Sequence, residues 1–347
     1  MKNNKVIFIG AIDEGHVATN GETMKNQLLL RRFEALFDQV VSVDAYEWRQ
    51  HPWRIVKILC ALLGNRGAKV VVSASGAASY LFNFLYYVPL KKSVYEWVIG
   101  GNRAEKIRRG DYSVKVLGRL NKIIVEGECM VKELKKYGLE NVVCVPNFKP
   151  VDFVPAPKEK SNKFRFVFLS RVHPDKGIKE IIEACEQLNA IGYKHRYIVD
   201  FYGAIAAGYK DIFESLLLKV DNVKYEGFLN LMDNKGYDSL STYDVMLFPT
   251  YWDGEGFPGI AIDAYMSGLP IIASDWSMNN EVVQDGKTGF IIPVHDSRSL
   301  VAKMQAFIEG KYNLEDMRRN CLTAAKRYDY RNVVTRELLV NIGLIER

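Results

Sequence analysis

Twelve short apolar runs, each followed by a stretch with helical periodicity or a turn, punctuate the chain from residue 6 to residue 292. In the first half they lie at 6–9, 40–43, 70–72, 94–97, 123–125 and 142–145; in the second, at 166–169, 197–201, 223–225, 245–248, 271–273 and 290–292. The runs are almost continuously apolar and do not alternate. Strands of that kind are buried on both faces, which requires parallel sheets covered by helices on each side. The pattern pauses once. Pro146, Pro150, Pro155 and Pro157 fall within twelve residues, close to Lys158, Lys160 and Lys163. Proline fixes φ and removes a backbone donor, so this stretch cannot be helical and reads as a stiff linker. A chain of 347 residues is also too long for one ordinary core.

The expected class is therefore α/β, with two Rossmann-like parallel-sheet domains facing across a cleft. The first domain covers 1–148, the linker 149–163 and the second domain 164–325. Residues 326–347, where Leu338, Leu339, Ile342 and Leu344 recur at roughly helical spacing, are expected to form a C-terminal helix that packs back toward the first domain. Ligands of open α/β sheets bind at the carboxyl ends of the strands, so the cleft is the expected site.

Composition narrows the function. At 48% hydrophobic and 25% charged, the chain is a soluble globular protein and neither disordered nor collagen-like. Its five cysteines are odd in number and contain no C-x-x-C, which points to a reducing compartment and excludes a zinc ribbon. With no signal peptide at the start, the expected location is cytoplasmic. Residues 70–90 carry no charge for 21 positions, but Ser73, Ser75, Gly76, Ser79, Asn83 and Pro89 divide them into a buried strand and a helix. The aromatics Tyr80, Phe82, Phe84, Tyr86 and Tyr87 lie in this uncharged run, so they read as core and no nucleic-acid partner is expected.

Charge is unevenly spread. Residues 1–150 hold 23 Lys and Arg against 14 Asp and Glu, and residues 51–122 hold 13 against 3. This basic half suits an anionic partner or is simply a solvated surface. Within it, 52–63 sets Trp53, Ile55, Val56, Ile58, Leu59 and Leu62 beside Arg54 and Lys57. Such a helix either lies in an anionic membrane interface or packs into the core.

Two segments carry chemistry. At 250–263, Gly254, Gly256 and Gly259 permit close backbone approach, and Pro258 suits the first turn of a helix whose amino end would favour an anion. The spacing G-x-G-x-x-G is present, but it does not directly follow a strand or open the first βα unit, so NAD is not expected. Glu255 in the loop and Asp263 in the helix read as carboxylates for sugar or ribose hydroxyls, or else as ordinary loop and helix acids. At 166–178, a strand ends at Ser170, and Arg171 and Lys176 sit on the loop beyond it. A guanidinium fork and an ammonium at a strand's carboxyl end suit a diphosphate, or are solvated loop cations. The first βα loop, 10–21, is long and rich in small residues (Gly10, Gly15, Ala18 and Gly21), as ligand loops are. Its His16 is either a base or a structural residue. No D-x-D and no histidine pair with ligand spacing occurs, so no metal is expected.

In order along the chain, 169–177 (Leu-Ser-Arg-Val-His-Pro-Asp-Lys-Gly), 223–228 (Val-Lys-Tyr-Glu-Gly-Phe), 248–259 (Phe-Pro-Thr-Tyr-Trp-Asp-Gly-Glu-Gly-Phe-Pro-Gly), 267–276 (Ser-Gly-Leu-Pro-Ile-Ile-Ala-Ser-Asp-Trp) and 280–290 (Asn-Glu-Val-Val-Gln-Asp-Gly-Lys-Thr-Gly-Phe) resemble the retaining glycosyltransferases of the large family-4 group with the GT-B fold. The first domain is similar to members that build bacterial surface polysaccharides, at 20–23 and 98–101. The resemblance implies that Arg171 and Lys176 hold a donor diphosphate and that Glu255 contacts the transferred sugar. It implies that Asp263 binds the ribose, that Gly256, Phe257, Pro258 and Gly259 line sugar and phosphate, and that Gly203, Gly227 and Phe228 border the base. Gly21 would approach the phosphates from the opposite domain. The chain departs from the family in having Asp263 where Glu is usual, and in having no histidine at 95–101.

The function implied is metal-independent, retaining transfer of a sugar from a nucleotide diphosphate sugar, with uridine the expected base and no separate cofactor. The leaving phosphate would take the acceptor proton by same-face attack. The acceptor expected is a saccharide or a lipid-diphosphate-linked saccharide, met at the inner face of the membrane. A non-catalytic subunit of the same fold and a nucleotide-sugar epimerase remain open alternatives.

Overall fold

A computed structural model describes residues 4–16, 20–74, 78–87, 92–157 and 161–346. Ala18, Ser75, Gly76, Pro89, Lys158 and Lys160, named above, lie outside the described residues. The chain forms two compact units, one of Met1–Pro150 with Tyr328–Arg347 and the other of Val151–Arg327. All twelve apolar runs are strands, most of them longer by a residue or two at one or both ends than the apolar run alone.

Unit 1 is built on β1 (Lys5–Gly10), β2 (Gln39–Asp44), β3 (Lys69–Ser73), β4 (Val94–Trp97), β5 (Lys122–Val125) and β6 (Val142–Cys144), all parallel in the order β2-β1-β3-β4-β5-β6. Val6, Phe8, Phe33, Trp97 and Phe148 fill one side of its core. Each such side chain, fully buried, is worth about 1.5–3 kcal/mol. Val334, Leu339, Leu344 and Ile345 complete the same core. The tail is anchored there by the Tyr95 hydroxyl, which donates to the Gly343 carbonyl at 2.6 Å, and by Arg32 Nε, which donates to the Val334 carbonyl at 3.0 Å.

The tail is helical, but not as one helix. A 3₁₀ turn at Lys326–Tyr328 is followed by helices Tyr330–Val333 and Arg336–Asn341. Asp329 and Thr335 each accept a hydrogen bond from a backbone N–H just beyond them, and such caps restart a helix rather than continue one.

Unit 2 carries β7 (Phe164–Leu169), β8 (Tyr197–Tyr202), β9 (Val223–Tyr225), β10 (Val245–Phe248), β11 (Ile271–Ser274) and β12 (Gly289–Ile292), again all parallel. The order is β12-β11-β10-β7-β8-β9. From β7 the chain winds outward through β8 and β9, then returns to β7's other side with β10. The loops leaving β7 and β10 therefore diverge from neighbouring strands, and that switch point is where an open α/β sheet makes a ligand crevice. Phe166, Phe168, Ile181, Cys185, Phe201 and Leu247 lie in the core beneath it.

No described helix is long and apolar enough to cross a membrane. The uncharged stretch expected as strand plus helix is β3 followed by helix Ala78–Tyr87. Its aromatics do not all enter the core: Phe82 is buried, whereas Tyr80 and Tyr87 are exposed. A ten-residue helix on a sheet has one inward face, so residues two and five positions from Phe82 turn outward.

Candidate functional site

At the switch point of unit 2, the loop after β7 closes into a single 3₁₀ turn, Pro174–Lys176. His173 caps it, its Nδ1 accepting the Asp175 N–H at 3.2 Å. Gly177 ends the turn at φ 75° and starts helix Ile178–Ala190. A Cβ there would lie 2.3 Å from the Pro249 carbonyl oxygen, so glycine lets the two loops touch.

The loop after β10 is stitched to that turn. The Tyr251 N–H donates to the Asp175 carbonyl at 2.8 Å, and the Tyr251 hydroxyl to the Pro174 carbonyl at 3.2 Å. From the loop after β11, Trp276 Nε1 donates to the Trp252 carbonyl at 2.8 Å and the Ser277 hydroxyl to the Glu255 carbonyl at 2.7 Å. Burial raises the Tyr251 hydroxyl to about 12, with the negative charges of Glu180 and Asp175 adding to it, so it remains a donor at neutral pH.

This stitching brings three of the sequence candidates together. Lys176 forms an ion pair and hydrogen bond with Glu255, their side chains 6% and 14% exposed. Glu255 Oε2 also accepts from the Thr250 hydroxyl at 3.2 Å. The Trp252 ring serves as a common wall: the Arg171 guanidinium carbon lies 4.8 Å from its centroid, Lys176 Nζ 6.0 Å, and the His173 ring meets it edge-on at 4.6 Å. The cations expected on a diphosphate and the acid expected on a sugar are thus neighbours. Lys176 is ion-paired with Glu255 and buried, while Arg171 is exposed.

Gly203 and Gly227 are also adjacent, the Gly203 N–H donating to the Gly227 carbonyl at 2.8 Å. Gly203 has φ 134°, and a Cβ on it would stand 1.8 Å from the Ser170 carbonyl oxygen. The ends of β7, β8 and β9 therefore converge, and Phe228 stands 77% exposed beside them. Phe257 and Pro258 are buried, with Gly256 and Gly259 partly so. The helix Gly259–Met266 begins there, and Pro258 places no side-chain acceptor over its first amides.

Asp263 is only 2% exposed, and its Oδ1 accepts from the Tyr237 hydroxyl at 2.7 Å. The sequence reading missed Tyr237, and also Trp252 as the shared wall. A lone tyrosine 26 residues before its partner carries no spacing signal. Trp252 was visible as an aromatic in a glycine-rich loop.

In unit 1, Gly21 is the first residue of helix Gly21–Leu36, which opens on a capping box between Asn20 and Thr23. His16 is exposed and contacts Asp13 through Nδ1 at 2.9 Å. Where the family's histidine is absent, Glu96 is buried against Arg103. Burial raises the Glu96 carboxyl above the usual range, opposed by the Arg103 charge. Among the described residues no three His, Cys, Asp or Glu side chains are grouped to hold a metal ion.

A family model described as glycosyl transferases group 1 matches residues 151–328, just over half of the chain and all of unit 2. The chain belongs to this family. Among group 1 relatives, it is 30% identical over 145 residues to the putative colanic acid biosynthesis glycosyltransferase WcaL of Salmonella typhimurium, a match covering 41% of this chain and 35% of that protein. The chain thus spans about a third of the length of that relative. It is 23% identical over 350 aligned positions to the capsular polysaccharide biosynthesis glycosyltransferase CapM of Staphylococcus aureus, covering 90% of this chain and 89% of that one. The crystal structure of Anabaena Alr3699/HepE in complex with UDP is similar with a TM-score of 0.73 at 14% identity, over 97% of this chain and 98% of that one. This likeness is one of fold, and it places the group 1 chain in the GT-B class.

Proposed function

We propose that this chain is a retaining, metal-independent glycosyltransferase of the family-4 type. It moves a sugar from a nucleotide diphosphate sugar, a UDP-sugar, to a saccharide or lipid-diphosphate-linked acceptor in bacterial surface polysaccharide synthesis. One observation carries the reading: Lys176 and Arg171 share the wall of Trp252 at the switch point of unit 2, and Glu255 is ion-paired with Lys176 there. Support comes from the names of the relatives and from UDP bound to the HepE fold neighbour.

The cost of such a transfer lies in negative charge growing on the leaving diphosphate. Arg171, Lys176 and the amides opening helix Gly259–Met266 are fixed donors for that charge and need no reorganisation as it develops. Glu255, held by Lys176 and Thr250, keeps its carboxylate oriented for sugar hydroxyls. The leaving phosphate oxygen takes the acceptor's proton, so the reaction calls for no side-chain base.

We also propose that unit 1 meets the acceptor at an anionic membrane face. Helix Trp53–Gly64 buries Ile58, Ala61 and Leu62 yet exposes Trp53, Ile55, Val56 and Leu63, with Lys57 4.6 Å from the Trp53 ring centroid. An outward apolar face edged by cations matches an interfacial helix.

The test is incubation with a panel of nucleotide sugars and a lipid-diphosphate saccharide extract, with products analysed by mass spectrometry and NMR. One donor should be consumed only with acceptor, its anomeric configuration kept, at a rate unchanged by EDTA. Consumption of no donor would indicate a binding subunit instead. Isomerised donor without acceptor would indicate an epimerase.

A further inference from the structure

Asp263 is the acid expected at the donor ribose, yet at 2% exposure a sugar hydroxyl has almost no direct path to it. Its Oδ1 is reached instead by Tyr237, whose ring is only partly buried. Asp263 stands one turn into helix Gly259–Met266, on the same side as Gly259, because residues four apart share a helix face. Tyr237 stands on helix Asn234–Ser241, which a five-residue loop joins to the Gly227–Phe228 segment expected at the base.

That helix is fixed in place. Asp233 caps it, accepting the Gly236 N–H at 3.2 Å. A Cβ at Gly236 would lie 1.7 Å from the Asn230 carbonyl oxygen, so its first turn presses on the loop leading from Phe228. The Phe153 ring stacks on Tyr237 with centroids 5.2 Å apart and planes 27° apart, which holds the phenol's orientation.

We infer that Tyr237 is the ribose-recognising residue of this chain, its hydroxyl oxygen accepting from a ribose hydroxyl while its proton is given to Asp263. A phenol oxygen that donates one proton still has lone pairs to accept. Donation to a carboxylate makes that oxygen a better acceptor, since linked hydrogen bonds polarise one another. Burial, and then the Asp263 charge, hold the phenol well above the usual tyrosine range, so the proton stays in this bond at any physiological pH. The inference rests on the donor-site reading above and names the group that does the ribose recognition.

Calorimetric titration of UDP, GDP and ADP, each against its 2′-deoxy counterpart, tests it on the full chain and on Tyr237→Phe. The wild type should bind one ribonucleotide about tenfold tighter than its deoxy form, the worth of one good hydrogen bond. Tyr237→Phe should bring that ratio close to one while keeping most of the affinity that the diphosphate supplies. Should Y237F fail to fold, wild type labelled with ¹³C at tyrosine Cζ carries the test: the Tyr237 signal should move with the ribonucleotide and less with the deoxy form. No discrimination by wild type, an unchanged ratio in Y237F or an unmoved Tyr237 signal would each overturn the inference and leave the donor site standing. Binding of no nucleoside diphosphate by wild type would overturn both.

Discussion

Removing the Lys176 ammonium has two separable consequences. Its partner Glu255 is 14% exposed and keeps only the Thr250 hydroxyl, at 3.2 Å, as a close side-chain donor once the lysine is gone. Breaking a buried ion pair from one side costs about 3–5 kcal/mol, because an uncompensated charge is left behind. Glu255 sits at the rim of a loop and retains that one donor, so the expected loss for Lys176→Ala is near the lower end, about 3 kcal/mol. The double variant Lys176→Ala with Glu255→Gln leaves no buried charge and should regain most of that loss. Transfer should behave differently. A preorganised donor to the leaving group is worth about 2.7–4 kcal/mol in the barrier, or 10²–10³ in rate, and the double variant does not restore it. Urea denaturation and donor turnover, measured on wild type, both single variants and the double, form a closed cycle. A single-variant loss under about 1 kcal/mol would mean the pair behaves like a surface ion pair, and the site as described would be wrong. Recovery of turnover in the double variant would refute the catalytic part.

Other outcomes follow from the same geometry. Gly203→Ala forces a Cβ to 1.8 Å from the Ser170 carbonyl oxygen at φ 134°, and should cost more than about 2 kcal/mol by urea denaturation; a neutral change would contradict the convergence of β7 and β8. Substituting Trp53, Val56 and Leu63 together by Glu should abolish flotation with anionic vesicles without altering the circular dichroism spectrum, and retained flotation would remove the membrane proposal. Burial pushes the Cys185 thiol up to about 12, so at pH 8 a thiol reagent should modify exposed Cys60 quickly and Cys185 only on unfolding. Burial likewise raises the Glu96 carboxyl, so the folded state holds its proton more tightly than the unfolded chain does. That contribution to stability falls as pH rises through the raised value. Arg103→Met removes the opposing charge and should enlarge the loss of stability between pH 5 and pH 8 in urea melts; an unchanged difference would refute the pairing.

Parallel strands buried on both faces are almost continuously apolar, so the inner strands of each sheet were readable as such runs, while the edge strands β2 and β9 were readable from shorter apolar stretches interrupted by Ser42 and Lys224. Arg171, Lys176 and Glu255 were readable less directly: all three lie on loops beyond buried strands, where a solvated charge is equally at home, and the family resemblance singled them out. What the sequence concealed are relations across the fold. Nothing local pairs Lys176 with Glu255, 79 residues apart, or sets Tyr237 on Asp263. The strand order that makes β7 and β10 neighbours creates the first pair; the second joins the helices that enter and leave β10. The tail shows a different limit. Its apolar spacing suggested one helix, whereas Asp329 and Thr335, present in the sequence as capping types, outweigh that periodicity. Helix Ala78–Tyr87 departs likewise, because an apolar stretch shorter than three turns does not reveal which of its aromatics face inward.

The most direct measurement compares calorimetric affinities for uridine, UMP and UDP in wild type and in Arg171→Ala. If guanidinium, ammonium and helix amides meet on one diphosphate, affinity should climb steeply from uridine to UDP, and Arg171→Ala should flatten that climb while leaving uridine unaffected. Equal affinity for all three ligands, or a climb untouched by the loss of Arg171, would contradict a diphosphate site at the β7–β10 switch point.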